Sequence, residues 1–507
     1  MQALQKLLDN KVVVFWNAAY DIPVLEQHGF SVSTYIDALL LWRAASIDED
    51  SYSLKALSQK HLNDFYQEEQ ELKDWLKKNK TKDYSKVPHN ILMPYALKDA
   101  KNTLMLFLLI RDRCSEFLPT IELEHDIQRL VIEMEEHGFI IDAKAVNRLW
   151  KAATKQEKKL EAEIYQLAGK EFLISSPKQL GAILYADYPA TRQTEGGAPS
   201  TDSVALKQLA DSAECPKRLR KLAKKVLKYR SLKKLKKTYL KNFAAKSVGK
   251  GRYRILRTSF NQAGTKTGRF SSSNPNLQNI PRPGDSLLAL ARGCVVAGHG
   301  QIMLFIDYDQ VELRLAAHYC NDPLMIQTIL SGGDLHGETC KRLFGIDEDD
   351  PDWKRKRQIA KTLNFAIFYG IGPYKLRDTL LKMVGIYYTL SECKTIIDDY
   401  KDIYPSIPLL FRDVQDQVKK HGYVENFYGR RMYVNPKKSY VGVNYIIQST
   451  AADLIKQRML RCYKLLEGTS SYLIGTIHDE LIFRGPEDEL PKLATALQAA
   501  MEDRQSF

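Results

Sequence analysis

Two aspartates stand beside apolar segments that predict β-strands. Residues 301–306 read Q-I-M-L-F-I, which predicts a buried strand, and Asp307 follows it directly. Asp479 lies between two apolar runs, residues 473–477 and 481–483, which predict a hairpin. A carboxylate at a buried strand end costs desolvation energy unless a cation compensates it. If both strands share one sheet, the two aspartates are in place to hold the same divalent ions.

Between these aspartates lies a segment with helical periodicity, K-R-K-R-Q-I-A-K-T-L-N-F-A-I-F-Y-G, residues 354–370. Arg357, Lys361, Phe365 and Tyr369 recur every four residues, so they lie on one side of the predicted helix. A face that changes from cationic to aromatic is complementary to a nucleotide, with the triphosphate at one end and the sugar and base at the other.

Each of these features also has a simpler explanation. Asp307 is in place to cap the helix predicted over residues 310–318. The cationic and aromatic stripe is also compatible with long side chains that snorkel beside the edge of an ordinary core. His336, in G-G-D-L-H-G-E-T, is a candidate donor to a triphosphate, but it is equally compatible with a structural hydrogen bond. The order of the features along the chain favours the nucleotide-binding interpretation.

The net charge of +14 is unevenly distributed. Residues 217–257 contain 18 Lys and Arg and no Asp or Glu, so the rest of the chain is slightly acidic. This segment predicts an amphipathic helix over residues 224–239, with Tyr229 and Tyr239 interleaved among the cations. It indicates a local surface for a polyanion such as nucleic acid, and the alternative is a solvated helix face.

Length and composition restrict the class of protein. A chain of 507 residues is too long for one core and predicts several domains. No apolar run is long enough to span a bilayer, so a membrane protein is not expected. The seven cysteines are scattered without a C-x-x-C pair, which is typical of reduced thiols in an intracellular protein. The first residues lack the architecture of a signal peptide, and we expect a cytoplasmic or nucleoid protein, in the host cytoplasm if it is viral.

The remaining segments give a coarse map of helices, strands and loops. A strand is predicted at residues 11–15, and helical patterns dominate residues 121–167. The loops predicted from Gly, Pro, Ser, Thr and Asn content are residues 191–202 and 271–283. Further helices are predicted through most of residues 323–430 and at residues 445–466.

Several motifs in a fixed order make the chain similar to the family A DNA polymerases of the bacterial DNA polymerase I type. They are G-G-A-P-S-T (196–201), T-G-R-F-S-S-S-N-P-N-L-Q-N-I-P (267–281), D-Y-D-Q-V-E-L-R-L-A-A-H (307–318), R-x-x-x-K-x-x-x-F-x-x-x-Y-G (357–370), G-Y-V-E-N-F-Y-G-R-R (422–431), Q-S-T-A-A-D-L-I-K (448–456) and H-D-E (478–480). The resemblance covers essentially the whole chain.

The resemblance implies DNA-dependent DNA synthesis on primer-template DNA with dNTPs, by two-metal nucleotidyl transfer. Asp307 and Asp479 would bind two Mg²⁺ ions, for which Mn²⁺ can substitute, and Glu480 would support them. Lys361 would bind a phosphate and protonate the departing pyrophosphate. A monomer is expected, and the sequence does not indicate a processivity partner.

The resemblance also implies which residues contact the substrates. Arg357 and His336 would bind the triphosphate, Phe365 would pack on the sugar, and Tyr369 would close the pocket of the new base pair. Glu312 would be the steric gate against a 2′-hydroxyl, with Gln310 nearby. The implied DNA contacts are Arg269, Gln448, Asn444, Asn279, Lys233, Lys234 and Lys237.

The implied fold is a multi-domain α/β right hand, in which the palm is an antiparallel sheet and the fingers and thumb are helical. A partial ribonuclease H-like 3′–5′ exonuclease domain would precede it. The expected divisions are residues 1–115 (exonuclease-like), 116–257 (thumb), 258–322 (first part of the palm), 323–434 (fingers) and 435–507 (second part of the palm).

The exonuclease part matches only two of its family's motifs. Asp21, in N-A-A-Y-D, matches the second motif, and Tyr95 and Asp99, in Y-A-L-K-D, match the third. The first motif, D-x-E, is expected upstream of these and is not found, so we predict that proofreading is absent. The missing motif, and the absence of a further palm strand after residue 507, predict that the sequence is a piece of a longer protein.

Three positions depart from the family pattern. The family's usual Ser, Gly and Arg are replaced by Asp309, Ala366 and Tyr440, which leaves metal affinity, fidelity and DNA affinity open.

Three alternative functions are compatible with parts of the sequence. A single-subunit RNA polymerase is disfavoured by Glu312. A non-catalytic DNA-binding protein is disfavoured because both aspartates are present, and an exonuclease alone is disfavoured by the missing D-x-E.

Overall fold

The computed structural model describes residues 2–46, 49–190, 192–194, 196–280, 287–477 and 479–502. Helices predominate, and three antiparallel or parallel ribbons of two strands accompany two three-stranded sheets. In this described part of the chain, no helix is both long enough and apolar enough to cross a bilayer. All seven cysteines are buried and unbridged.

The N-terminal part begins with a short parallel ribbon covered by helices. Its elements are α1 (Gln2–Asn10), β1 (Val13–Phe15), α2 (Ala18–Gln27), β2 (Tyr35–Asp37), α3 (Ala38–Ala45), α4 (Leu54–Leu62), α5 (Gln67–Lys78) and α6 (His89–Arg111). Strand β1 confirms the strand predicted at residues 11–15. Asp37 ends β2, where its carboxylate accepts backbone N–H groups of Ala18 at 2.8 Å and Leu39 at 3.0 Å. This buried carboxylate therefore fixes the starts of α2 and α3.

The next part is a long-helix region that carries the basic segment. Its elements are α7 (Leu118–His137), β3 (Phe139–Asp142), α8 (Ala143–Ala168), α9 (Pro177–Leu184), α10 (Ser203–Asp211), α11 (Lys217–Lys234), a π-helical turn (Leu235–Leu240) and α12 (Lys241–Lys246). The helix prediction for residues 121–167 is wrong at β3. Gly138 ends α7 with a φ of 53°, and a Cβ there would lie 2.9 Å from the carbonyl oxygen of Leu256. The chain therefore turns into a strand that pairs with a later segment.

The basic segment is helical as predicted, but its two tyrosines are buried. Tyr229 and Tyr239 are 2% and 3% exposed and face the core. The Tyr239 hydroxyl donates to the carbonyl oxygen of Asn279 at 2.7 Å. Helical spacing places them on the same side as the leucines of the segment, so apolar burial decides their direction. The rings therefore pack in the core beneath the cations, and the Lys233 ammonium lies 4.9 Å from the centre of the Tyr229 ring.

The sheet beside both predicted aspartates is antiparallel, with its strands in the order β11 (Tyr472–Ile477), β12 (Glu480–Pro486) and β8 (Gln301–Asp307). The strands and helices of this region are β4 (Tyr253–Leu256), β5 (Ser259–Asn261), β6 (Ser271–Ser273), β7 (Val295–Val296), β8 (Gln301–Asp307), α13 (Val311–Cys320), α20 (Val441–Leu466), β11 (Tyr472–Ile477), β12 (Glu480–Pro486) and α21 (Leu490–Glu502). The helix at 445–466 and the hairpin are confirmed, and so is the strand at 301–306, although its residues are half-buried or exposed and not buried as predicted. Buried side chains from α7, α20, α21 and the sheet share one hydrophobic core.

A helical region lies between α13 and α20 in sequence, as predicted. It comprises α14 (Pro323–Leu330), α15 (Leu335–Phe344), α16 (Trp353–Ala366), α17 (Pro373–Val384), α18 (Leu390–Ile403), α19 (Ser406–His421), β9 (Tyr423–Glu425) and β10 (Arg431–Tyr433). Helix α16 ends at Ala366, so Tyr369 lies in the turn beyond it and not on the helix as predicted. Gly370 follows in the left-handed region at φ 66°, which reverses the chain there.

A buried ionic cluster joins three of these regions. Glu124 from α7 contacts Arg430 at 2.6 Å and Lys456 at 2.5 Å, and Arg430 also contacts Asp453 at 2.6 Å. The four charges sum to zero, which limits the cost of burying them. The cluster holds α7 and the β9–β10 connection against α20.

Candidate active site

A cleft of about 580 Å³ lies where the sheet, α13, α15, α16 and α20 converge. Ten of the residues predicted from the sequence line it together: Arg269, Asp307, Gln310, Glu312, His336, Arg357, Lys361, Phe365, Tyr369 and Asp479. They come from separate parts of the chain, and the fold brings them around one space. The cleft is therefore the candidate active site.

The two aspartates lie at neighbouring strand ends. Asp307 is the last residue of β8 and is exposed to the cleft. Glu480, the first residue of β12, is its register partner, and Asp479 immediately precedes Glu480. Helix α13 begins at Val311 after Gln310, so Asp307 does not occupy the N-cap position of that helix. His478 of the H-D-E motif lies outside the described residues.

Glu480 has a partner that the sequence did not indicate. Arg292, in a 3₁₀ segment (Leu287–Cys294), donates to its carboxylate at 2.7 Å. The Arg292 guanidinium also lies 5.2 Å from the centre of the Phe305 ring, on the same sheet. Arg292 thus offsets part of the negative charge of Glu480 and orients its carboxylate beside Asp307.

The cationic end of the α16 stripe borders the cleft as predicted. Arg357 donates to the Asp334 carboxylate at 2.6 Å, and Asp334 also caps α15 through the backbone N–H of His336 at 3.1 Å. Burial acts to raise the pKa of Asp334, but the hydrogen bond from Arg357 outweighs burial and holds that pKa below its usual value. Lys361 lies one turn further along α16 and is exposed to the cleft. Both cations therefore face the same space as the aspartates.

His336 is buried in the wall of the cleft, 2% exposed. Its Nδ1 lies 2.9 Å from the side-chain nitrogen of Asn364, and its ring centre lies 5.7 Å from that of Phe365. Burial lowers the pKa of His336 to about 4, and the nearby cations Lys361 and Arg357 add to the effect. The imidazole is therefore neutral at neutral pH.

A second set of contacts forms the opposite wall. Arg269 forms an ion pair with Glu312, whose carboxylate also accepts from the Tyr369 hydroxyl at 3.2 Å. Gln448 on α20 donates to the same hydroxyl at 2.9 Å. Burial lowers the pKa of Arg269. The predicted gate, pocket and primer-contact residues thus form one connected network.

Asp309, one of the departures from the family pattern, also lines the cleft. Its carboxylate binds Arg314 at 3.2 Å and the amide of Gln310 at 3.2 Å. Gln310 itself has a left-handed backbone at φ 54° and precedes α13. Arg314 therefore offsets part of the negative charge that Asp309 adds next to Asp307.

The other predicted DNA contacts lie outside the cleft lining. Lys233, Lys234 and Lys237 are exposed at the end of α11 and on the π-helical turn, and Asn279 is also exposed. Asn444 is half-buried, one helical turn before Gln448 on α20. Two other lysines of the basic segment are engaged in ion pairs at 2.6 Å, Lys225 with Glu163 and Lys236 with Glu157. The segment therefore contains both exposed lysines and lysines that are paired with glutamates.

The exonuclease-like residues lie on α2 (Asp21) and on α6 (Tyr95 and Asp99), and they do not line the cleft. Burial, helped by Asp37, raises the pKa of Asp21 to about 6, and burial raises the pKa of Asp99. The hydroxyl of Tyr95 accepts from the Lys55 ammonium at 3.1 Å, and Lys55 also binds Glu69 at 2.5 Å. An ammonium group thus lies beside the third motif.

Three residues that support the site were not predicted from the sequence. Asp334 supports Arg357, Arg292 supports Glu480, and Asn364 contacts His336. Asp334 stands directly before a predicted helix, and this position indicates an N-cap. It does not indicate the bond from Arg357. Nothing in local periodicity indicates the other two pairs.

Comparison with known sequences identifies the family. The profile of DNA polymerase family A matches residues 143–507, and that of a 3′-5′ exonuclease matches residues 1–114. The chain belongs to DNA polymerase family A, as the resemblance implied. An N-terminal exonuclease-type domain accompanies the polymerase domain.

The similar proteins are of the bacterial DNA polymerase I type. DNA polymerase I of Deinococcus radiodurans is 34% identical over 75% of this chain and 40% of its own length. That of Pseudomonas aeruginosa is 30% identical over 99% of this chain and 55% of its own length. The chain therefore spans about half the length of these relatives.

Among solved structures, the chain is similar to the POL domain of Pol1 from M. smegmatis, determined in complex with DNA primer-template and dNTP. The TM-score is 0.80 at 26% identity, over 99% of this chain and 84% of that one. The family A polymerase fold predicted from the motifs is confirmed.

Proposed function

We propose that the chain is a DNA-directed DNA polymerase that adds dNTPs to a primer 3′-hydroxyl on a DNA template. The observation that carries this proposal is the single cleft lined by Asp307, Asp479, Arg357, Lys361 and Tyr369. Two carboxylates, two cations and an aromatic hydroxyl around one space match the metal, triphosphate and base-pair ends of the reaction. We also propose that it acts as a monomer on DNA inside the cell, and that the five-part domain division holds.

The carboxylate pair fits a site for Mg²⁺. Asp307 and Asp479 are hard oxygen donors at adjacent strand ends, and two carboxylates fill only part of the shell that Mg²⁺ prefers. Two bound Mg²⁺ ions, or Mn²⁺ in their place, would supply charge neutralisation for the attacking and departing oxygens. Glu480, held by Arg292, would keep the electrostatic field of the strand ends fixed.

The chain's own groups would bind and orient the nucleotide. Arg357 and Lys361 are on one side of α16, so both reach a triphosphate laid along that helix, and His336 offers a further donor. Phe365 is placed to pack on the sugar. Lys361 would donate a proton to the pyrophosphate oxygen as the P–O bond breaks.

Glu312 is proposed to exclude ribonucleotides. Its position is fixed from two sides, by Arg269 and by the Tyr369 hydroxyl. A fixed carboxylate at the cleft wall obstructs a 2′-hydroxyl better than a mobile one would, because it cannot move aside without losing these bonds. Arg269 and Gln448 would read the primer-terminal pair, and Asn444, Asn279 and the exposed lysines would bind the duplex.

We further propose that the exonuclease-type domain does not proofread in this chain. Asp21 and Asp99 are partly buried carboxylates with raised pKa values, and Lys55 occupies the hydroxyl of Tyr95. The Lys55 ammonium beside the third motif disfavours a divalent cation there, because like charges repel. A primer labelled at its 5′ end and mismatched at its 3′ end should stay intact with Mg²⁺ and no dNTPs, and shortening of it would contradict this proposal.

Primer extension tests the main proposal. A labelled hairpin with Mg²⁺ and all four dNTPs should be extended by the unaltered chain and not by Asp307→Ala. The matched control is Asp347→Ala, which removes an exposed carboxylate that is paired with Lys341 away from the cleft and should leave extension unchanged. Extension that survives Asp307→Ala would contradict the metal assignment, and DNA binding without any extension would favour a non-catalytic DNA-binding protein.

A further inference from the structure

His336 and Asn364 form a buried pair in the wall of the cleft. His336 lies in the first turn of α15, and Asn364 lies on α16 directly before Phe365. Asn364 is fully buried, and its Nδ2 is 2.9 Å from Nδ1 of His336. The pair therefore joins the helix that carries the two cations to the helix that carries the histidine.

The surroundings of Asn364 fix which end of its amide faces the imidazole. Its Nδ2 also lies 3.4 Å from the carbonyl oxygen of Leu335, a group that can only accept. Thr339 Oγ1 lies 3.1 Å from Oδ1 of Asn364, but its one proton goes to the nearer carbonyl oxygen of Leu335 at 2.7 Å, so this contact does not distinguish the two ends of the amide. The Leu335 carbonyl oxygen does distinguish them, because it can only accept: the amino group of Asn364 faces it and also faces the imidazole, so Nδ1 of His336 accepts a hydrogen bond.

A neutral imidazole that accepts at Nδ1 carries its proton on Nε2. Nε2 of His336 is buried and has no hydrogen-bond partner within the described residues. The ring lines the cleft together with Arg357 and Lys361. An unpaired buried N–H costs free energy, and an acceptor that enters the cleft removes this cost by binding to it.

We propose that Asn364 is a positioning residue that fixes the tautomer of His336 and so presents Nε2–H as a neutral donor to an anionic oxygen of the bound dNTP. This inference rests on the proposed function, because it names the donor state of a residue assigned to the triphosphate. A neutral donor adds direction without placing a third positive charge beside Arg357 and Lys361.

The tautomer can be measured directly, without activity. In protein labelled with ¹⁵N-histidine, the signals of His336 are those lost in His336→Gln. We expect Nε2 protonated and Nδ1 unprotonated in the unaltered chain, and a shift toward a protonated Nδ1 in Asn364→Asp, whose carboxylate can only accept. A protonated Nδ1 in the unaltered chain, or no change in Asn364→Asp, would overturn the proposal.

A double-mutant cycle tests whether Asn364 acts through His336. Asn364→Leu should raise KM for dNTP about tenfold, the loss of one hydrogen bond, with kcat less affected and DNA affinity unchanged. The same substitution in the His336→Gln background should then have no further effect. Independent, multiplicative effects of the two substitutions would overturn the proposal.

Tyr404→Phe is the matched control. It removes the hydroxyl that lies 2.7 Å from Thr339 Oγ1, in the same buried chain of hydrogen bonds, but leaves the imidazole untouched. It should lower stability without changing KM for dNTP, and an equal rise in KM would mean that general loosening, not the tautomer, explains Asn364→Leu. If the unaltered chain extends no primer, the proposed function fails, whereas the nitrogen signals still decide the tautomer.

Discussion

Glu312 on α13 forms an ion pair with Arg269 and accepts a hydrogen bond from the Tyr369 hydroxyl at 3.2 Å. The three side chains come from a loop, a helix and a turn after another helix, and Gln448 joins them at 2.9 Å. A substitution at Glu312 therefore alters both the shape of the cleft wall and the charge balance of Arg269.

The first prediction concerns sugar selection. Glu312→Ala should reduce discrimination between dNTP and rNTP by about 10- to 100-fold, because the space for a 2′-hydroxyl opens. The ratio of kcat/KM for the two substrates in single-nucleotide extension measures it. Glu312→Gln, which keeps the bulk but not the charge, should retain most of the discrimination, and equal losses in both variants would make the charge the selecting feature.

The second prediction concerns the carboxylate pair. Asp479→Asn should lower nucleotide addition by more than about 100-fold, because a neutral amide is a poor ligand for Mg²⁺. Primer-template affinity, measured by fluorescence anisotropy with Ca²⁺ in place of Mg²⁺, should change little. Glu487→Gln, at an exposed position directly beyond β12, is the control for loss of one negative charge and should leave addition unchanged.

The third prediction separates three exposed lysines of the basic segment from two that are paired with glutamates. Replacing Lys233, Lys234 and Lys237 together by Ala should reduce the slope of log K against log salt by up to about 3, one unit per lost phosphate contact. Replacing Lys225 and Lys236, which are bound to glutamates at 2.6 Å, should change the slope much less. Equal changes would show that total charge, not position, governs binding.

The fourth prediction concerns pH and Glu135. Burial raises the pKa of Glu135 from 4.5 to about 7, although the backbone N–H of Phe260 donates to it at 2.5 Å. Between these two pH values the folded state holds a proton that the unfolded state loses. The contribution of Glu135 to the free energy of unfolding is therefore fully present below pH 4.5 and is lost as the pH rises to about 7.

Glu135→Gln should therefore match the parent's Tm near pH 4.5 and exceed it by at least about 2–4 °C at pH 8, because the amide carries no charge. Thermal unfolding followed by circular dichroism across this range measures the difference. Glu136→Gln, at the exposed neighbouring position, should give a difference that is small at every pH. A Tm gain for Glu135→Gln that is constant with pH would contradict the raised pKa.

The fifth prediction concerns the buried ionic cluster. Lys456→Met leaves Glu124 with one buried cation in place of two, which should destabilise the fold by about 3–5 kcal/mol. Denaturant unfolding measures this loss. Lys464→Met, at an exposed position on the same helix, should change stability by less than about 0.5 kcal/mol, and similar losses in both would argue against a role for the cluster.

Local sequence patterns were sufficient to predict the elements that carry the site. The apolar run before Asp307, the hairpin around Asp479 and the four-residue spacing of Arg357, Lys361 and Phe365 all predicted local geometry that the structure has. Such patterns work because strand alternation and helix periodicity are properties of neighbouring residues. The family followed from the order of the motifs.

Where the local prediction failed, distant residues decided the outcome. The strand β3 forms because its residues pair with β4, and Gly138 reverses the chain against Leu256. Tyr229 and Tyr239 face inward because a core from other segments is there to receive them. Tyr369 reaches the cleft from a turn, where Gln448 and Glu312 hold its hydroxyl.

By itself, the sequence determined the family and most of the side chains that line the cleft, and it supports the chemistry that we propose. Only the tertiary structure decided their electrostatic partners: Arg292 for Glu480, Asp334 for Arg357 and Asn364 for His336. Hydrogen bonds and ion pairs act over about 3 Å, and residues distant along the chain come that close only when the hydrophobic cores have packed. The proton position and charge state of the site are therefore properties of the folded chain.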